Sequence, residues 1–347
     1  MSARRLTAVF GFLIVSVVTG LAQLPTPTPA LDRRGKPLPF GVQPYYLPDV
    51  PLGTGAYKAI MSQEKGLPEQ VAYSPADLSK LGTKKLPIVT WGNGSCMYAG
   101  NRFRQYLTEI ASHGYLVIAG GPLADKELEV GPQENPAGRQ GGAGPAARGA
   151  AAPAPPTPDP ANPPGRVTVP ILKHGIDWAI EQNGDPNSRF HDKLDTQHIV
   201  AMGQSCGGGL SVQLAVEDPR VTALGVWNSG AGLGARNGGA PIPLEKIKGP
   251  VLVITGSEKL DIAFGSGKST FDRINHVPVF NAWRDDLQHI GTYGAANGGE
   301  LGQIAWKWLY WTTRGDQAAA KTFKGAACGL CKDPAWHVMK KKIDGQS

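Results

Sequence analysis

Beyond Val9–Val18 the chain has no apolar run long enough to cross a bilayer, which takes about 20 residues. This excludes a polytopic membrane protein. Cysteine is scarce, four in 347 residues, at positions 96, 206, 328 and 331. Acidic residues are outnumbered 28 to 35 by Lys and Arg, for a net charge of +7, but the basic residues are scattered. Their one cluster, Lys340-Lys341-Lys342, reads as part of a solvated tail, and no nucleic-acid module is present. Gly267-Lys268-Ser269-Thr270 ends like a phosphate-binding loop, but Ile262 stands where that loop needs its first glycine. Neither a metal nor an organic cofactor is implied.

Glycine and proline are plentiful, 46 and 30. Arg4 and Arg5 precede the apolar Val9–Val18 stretch, and Gly20-Leu21-Ala22 offers small residues for cleavage. Residues 1–22 therefore read as a secretory signal, with an uncleaved anchor as the other reading. A secreted or periplasmic protein without stable membrane insertion is expected, and a monomer. Residues 23–50 form a proline-rich leader, 51–320 one large domain, and 321–347 a C-terminal tail. Between 131 and 165, 26 of 35 residues are Pro, Gly or Ala. That composition cannot bury a core, so the segment reads as a disordered insertion.

Apolar strands alternate with helical stretches along the domain. Strands are expected at 71–74, 86–91, 115–119, 198–202, 221–227, 251–255 and 279–283, the last of the series. Helices are expected at 102–112, 171–180, after Ser205, around 271–274, and at 300–313. This is an α/β pattern, a mostly parallel central sheet with helices on both faces.

Gly203-Gln204-Ser205-Cys206-Gly207 joins the strand at 198–202 to the helix that follows. Strand, sharp turn with a central serine, and helix are the context of a nucleophile elbow. A serine hydroxyl becomes a good nucleophile when a base takes its proton, and the base needs an orienting acid. In such a sheet the order is serine, acid, histidine, each after a strand end. Asp261 follows the strand at 251–255 and is preferred to Glu258 as the acid. His289 follows the strand at 279–283, and Asp285 and Asp286 shape its loop. The other six histidines read as structural or solvated. Two amides should form an oxyanion hole. One belongs to Cys206, the other to Asn93 in the loop Gly92-Asn93-Gly94. Cys96 and Cys206 would then lie on neighbouring loops, either disulfide-bonded or as two free thiols. Cys328-Gly329-Leu330-Cys331 reads as a local disulfide, with a redox dithiol or half a metal site as alternatives.

The chain resembles the α/β-hydrolase family, and most closely its secreted cutinase-like and polyesterase branch, which includes poly(ethylene terephthalate) hydrolases. The resemblance rests on residues 111–118, on Gly203–Gly209, and on Asp261-Ile262-Ala263 after Gly256. It spans about residues 84 to 313. It departs at Gln204, Cys206 and Asn93, where the branch usually carries His or Trp, Met, and an aromatic. The resemblance implies a serine esterase working through Ser205, Asp261 and His289, with an acyltransferase or amide hydrolase on the same triad, or a secreted binding protein on a retired hydrolase scaffold, as the other readings. It also implies that Trp227 lines the acyl site, with ordinary core as the other reading. Only the 23 residues 228–250 separate two successive strands where large caps usually enter, so no large lid is expected. An open cleft suits bulky or polymeric esters.

Overall fold

A parallel sheet needs crossover connections that return the chain to the same edge, and helices supply most of them here. The computed structural model describes residues 53–124, 165–231 and 242–344. Its nine-stranded sheet has the order β1-β2-β4-β3-β5-β6-β7-β8-β9. The strands are β1 (Ala59–Ser62), β2 (Gln70–Pro75), β3 (Leu86–Gly92), β4 (Leu116–Gly120), β5 (Leu194–Gln204), β6 (Val221–Trp227), β7 (Val251–Gly256), β8 (Val279–Arg284) and β9 (Trp336–Lys341). The run β4-β3-β5-β6-β7-β8 is parallel. β1, β2 and β9 join it by antiparallel pairings. This is the α/β architecture expected from the sequence.

The strands alternate with a period of two, so each faces two separate cores. Val200, Met202, Ala223 and Trp227 face a core shared with Tyr106, Leu107, Ile304 and Trp308. These come from or border α1 (Arg104–Ser112) and α5 (Gly299–Arg314). Ile199, Ala201, Leu224 and Val226 face the opposite core, with Leu172, Ile176, Val212 and Phe271. Those belong to α2 (Val169–Gly184), α3 (Cys206–Glu217) and α4 (Phe264–Arg273). Helices thus cover both faces.

Past α5 the expected tail gives way to ordered structure. The chain forms α6 (Gln317–Ala320) and α7 (Gly329–Lys332), then adds β9 to the edge of the sheet. Phe323, Cys328, Leu330, Trp336 and Ile343 are buried there, which explains why the segment folds. Nor is Lys341 solvated: its Nζ donates to the carbonyls of Phe271, Asp272 and Ile274 and to Asn275 Oδ1. Lys340 pairs with Asp344 at 2.8 Å. β8 is therefore not the last strand. The 1–22 signal and 23–50 leader lie outside the described residues, as does the 131–165 insertion apart from Gly165. Among the described residues no helix is long and apolar enough to cross a membrane.

Candidate active site

Parallel strands present all their carboxyl ends at one edge, and the register Gly92↔Gly203, Gln204↔Trp227, Trp227↔Ile254 and Gly256↔Arg284 aligns those ends. The loops leaving them form the site, as is general for open α/β sheets. Ser205 occupies the turn between β5 and α3 with φ +52° and ψ −120°, a conformation that strains any residue with a Cβ by about 1–3 kcal/mol. The surroundings hold it there. Its amide donates to the Trp227 carbonyl at 3.0 Å, and its carbonyl accepts from Ser229 Oγ at 2.5 Å and from the Gly209 amide at 3.2 Å. The close packing demands glycine. A Cβ on Gly203 would lie 2.3 Å from the Gly207 carbonyl oxygen, and one on Gly207 would lie 2.0 Å from the Gly92 backbone.

The structure brings Ser205, His289 and Asp261 into one hydrogen-bonded chain. His289 Nε2 is 2.8 Å from Ser205 Oγ, and His289 Nδ1 is 2.6 Å from Asp261 Oδ1. An ionised carboxylate only accepts, so Nδ1 carries the proton and Nε2 of the neutral ring accepts from the serine hydroxyl. Asp261 is 2% exposed. Burial disfavours its charge, but the His289 hydrogen bond, the Ala263 amide and Asn228 outweigh it and hold the carboxyl below its ordinary range. The Gly256 amide and Asn228 Nδ2 each donate to its Oδ2 at 2.8 Å. Glu258 is exposed on the same turn. Asp285 reaches His337, and Asp286 pairs with Arg284. The remaining histidines have partners elsewhere: His113 with Glu109, His174 with Gln70, His191 with Asp192, His198 with Asp195, and His276 with the Ile247 carbonyl.

On the other side of Ser205, Cys206 and Cys96 form a disulfide with Cα atoms 5.2 Å apart. Cys96 closes the turn Gly94–Cys96 that follows Asn93. The Asn93 side chain points away from the site, its Nδ2 donating to the carbonyls of Met97, Ala99 and Gly120. The Asn93 backbone borders the elbow, and the Gly92–Asn93 peptide packs directly on Gly207. The Asn93 and Cys206 amides make no turn or loop hydrogen bond to a described carbonyl. They flank Ser205 beside the N-terminus of α3, where partial positive charge favours an anion. Cys328 and Cys331 form the second disulfide.

One expected site residue is misplaced. Trp227 is 0% exposed and packs edge-on against Tyr106 at 5.5 Å within the core beneath the sheet edge. The period of two turns it inward with Ala223, so it does not line an acyl site. Of the 228–250 interval, residues 232–241 lie outside the described residues.

Two residues escaped the sequence reading. Asn228, in the left-handed region at φ +41°, links Asp261 to Tyr293, whose hydroxyl donates to Asn228 Oδ1 at 2.6 Å. Gln204 donates from Nε2 to the His289 carbonyl at 2.8 Å, tying the elbow to the histidine loop. Asn tolerates a positive φ better than most residues, so an Asn just past a strand was the only available signal. Among the described residues no three His, Cys, Asp or Glu side chains gather as a metal site. Compared with known proteins, the chain matches no family model and no curated sequence.

Proposed function

We propose that the protein is an exported serine hydrolase with an α/β-hydrolase fold, cleaving carboxylic esters through an acyl-enzyme. The observation that carries this reading is the hydrogen-bonded chain Ser205–His289–Asp261, built from three separate strand ends. Ser205 Oγ attacks the ester carbonyl carbon while His289 Nε2 takes its proton. The carbonyl oxygen becomes an oxyanion held by the Asn93 and Cys206 amides. Collapse breaks the bond to the alcohol oxygen, which leaves with the proton from His289. Water, deprotonated by His289, then attacks the acyl-enzyme and releases the acid and free Ser205. Asp261 keeps the imidazole in the productive tautomer and stabilises the imidazolium, without taking the proton itself. Export is supported by the 1–22 signal pattern and by two disulfides, which persist in oxidising compartments.

The test is hydrolysis of p-nitrophenyl esters of increasing acyl length by wild type and Ser205→Ala. The substitution should lower kcat by about six orders of magnitude, and retention of more than about one per cent of activity refutes the assignment. A fluorophosphonate probe should label wild type at Ser205 and leave the variant unlabelled.

A further inference from the structure

Arg166 lies beside the elbow. Its Nη2 is 3.6 Å from Cys206 Sγ, one residue from the nucleophile. The backbone holds it in place: Arg166 forms an antiparallel bridge with Met97, and the Val167 amide donates to the Cys96 carbonyl at 2.9 Å. The disulfide joins Cys96 to Cys206, so the Arg166 backbone, the turn and the first helical residue are tied together. Residues paired across an antiparallel bridge project to the same face, so Arg166 and Met97 lie side by side. Arg102 approaches the same Met97 from the other direction, with Nη1 3.4 Å from Sδ, and its buried Nε has no partner. Two guanidinium groups therefore border one methionine at the oxyanion side of the site.

No carboxylate pairs with Arg166 among the described residues; its contact is a sulfur, a weak acceptor. Arg166 is exposed. A guanidinium has five donors in a planar fork matched to a carboxylate, so most of its capacity is unused. On the opposite side of Ser205, Arg284 is already paired with Asp286 and Glu300.

We infer, on the basis of the ester-hydrolase reading, that the site selects esters carrying a carboxylate, which Arg166 receives beside the oxyanion hole. The carboxylate belongs to the acyl chain, as in a hemiester of a dicarboxylic acid, or to the alcohol portion. The Arg166 fork takes it in place of the sulfur contact, and Arg102 adds to the positive field.

Two substrate pairs separate the sources. One compares p-nitrophenyl hemiglutarate with p-nitrophenyl valerate, the other 4-acetoxybenzoate with phenyl acetate. Each reads the anionic-to-neutral ratio of kcat/KM in wild type, Arg166→Gln and Arg166→Lys, with circular dichroism as a check of folding. The expected result is a ratio at least tenfold lower in Arg166→Gln for one pair, partly restored in Arg166→Lys, and a wild-type ratio that falls as NaCl is raised. The pair that responds identifies which end of the ester carries the charge. Ratios equal in wild type and Arg166→Gln for both pairs, or a wild-type ratio insensitive to salt, overturn the proposal. If Ser205 still reacts with the fluorophosphonate, only the role of Arg166 falls; if it does not, the hydrolase reading falls and takes this proposal with it.

Discussion

On one flank of Ser205 a covalent bond joins Cys206 to the turn after Asn93, whereas on the other flank Asp261 and His289 are held by hydrogen bonds alone. The flanks have different tasks in the proposed reaction. Oxyanion donors act by being in place before charge develops, so rigidity serves them. The imidazole must exchange protons with two partners in turn. A web of hydrogen bonds, from Asn228, Gln204 and the Gly256 and Ala263 amides, sets its position and leaves the ring free to change its bonding.

The hydrogen-bonded flank should be the easier to break by a single atom. Asp261→Asn is expected to lower kcat about 10⁴-fold by favouring the wrong tautomer, with Glu258→Gln costing far less. Steady-state kinetics on both variants settles the ranking, and the reverse order would assign the acid to Glu258.

The covalent flank should respond in stability as well as rate. In the chain-entropy account a loop of about 100 residues contributes about 4.7 kcal/mol, and shorter loops contribute less. Cys96 and Cys206 are 110 residues apart, Cys328 and Cys331 only 3. The double variant Cys96→Ser, Cys206→Ser should lose much more melting temperature than Cys328→Ser, Cys331→Ser. The first pair should also lower kcat while the second leaves it near wild type. Equal melting losses, or unchanged kcat in the first pair, would remove the bracing role.

Trp227 lies beneath both flanks. Trp227→Ala should destabilise the fold by about 3–5 kcal/mol, as truncation of a buried aromatic does. Denaturant unfolding measures this. A stability close to wild type combined with a raised KM for aromatic acyl esters would return Trp227 to the acyl site.

The smallest effect concerns pH. The folded pKa of Asp261 is depressed, so its ionised form stabilises the fold above the unfolded value, about 3.9, and that contribution is lost as pH falls through the folded pKa. The stability difference between wild type and Asp261→Asn should be constant from neutral pH to about pH 5 and change only below about pH 4. An Asp261 carboxyl resonance titrating above the unfolded value would contradict the depressed pKa.

The residues of the Ser205–His289–Asp261 chain were legible because each follows a strand end, and apolar strands are the plainest pattern in a sequence. The elbow glycines carried the same message, since close packing against Gly92 and Gly207 leaves no room for a side chain. Trp227 was misread for the opposite reason. Position after a strand indicates the correct edge, but the period of two decides which face a side chain takes, and Trp227 shares the buried face of Ala223. Asn228 was invisible because its role arises from three neighbours distant in sequence, Asp261, Gln288 and Tyr293. β9 was missed because Trp336–Lys341 mixes apolar and charged residues over a short run, as edge strands do to discourage further pairing.

That edge strand also bears on the order in which the protein is made. Ser205, Asp261 and His289 all leave the ribosome before Trp336–Lys341, the segment that covers the open edge of β8. Until that segment arrives, the strand leading to the histidine loop has a full row of unpaired amides and carbonyls on one side. A nascent chain therefore holds every residue of the site before it holds the strand that covers this edge of its sheet.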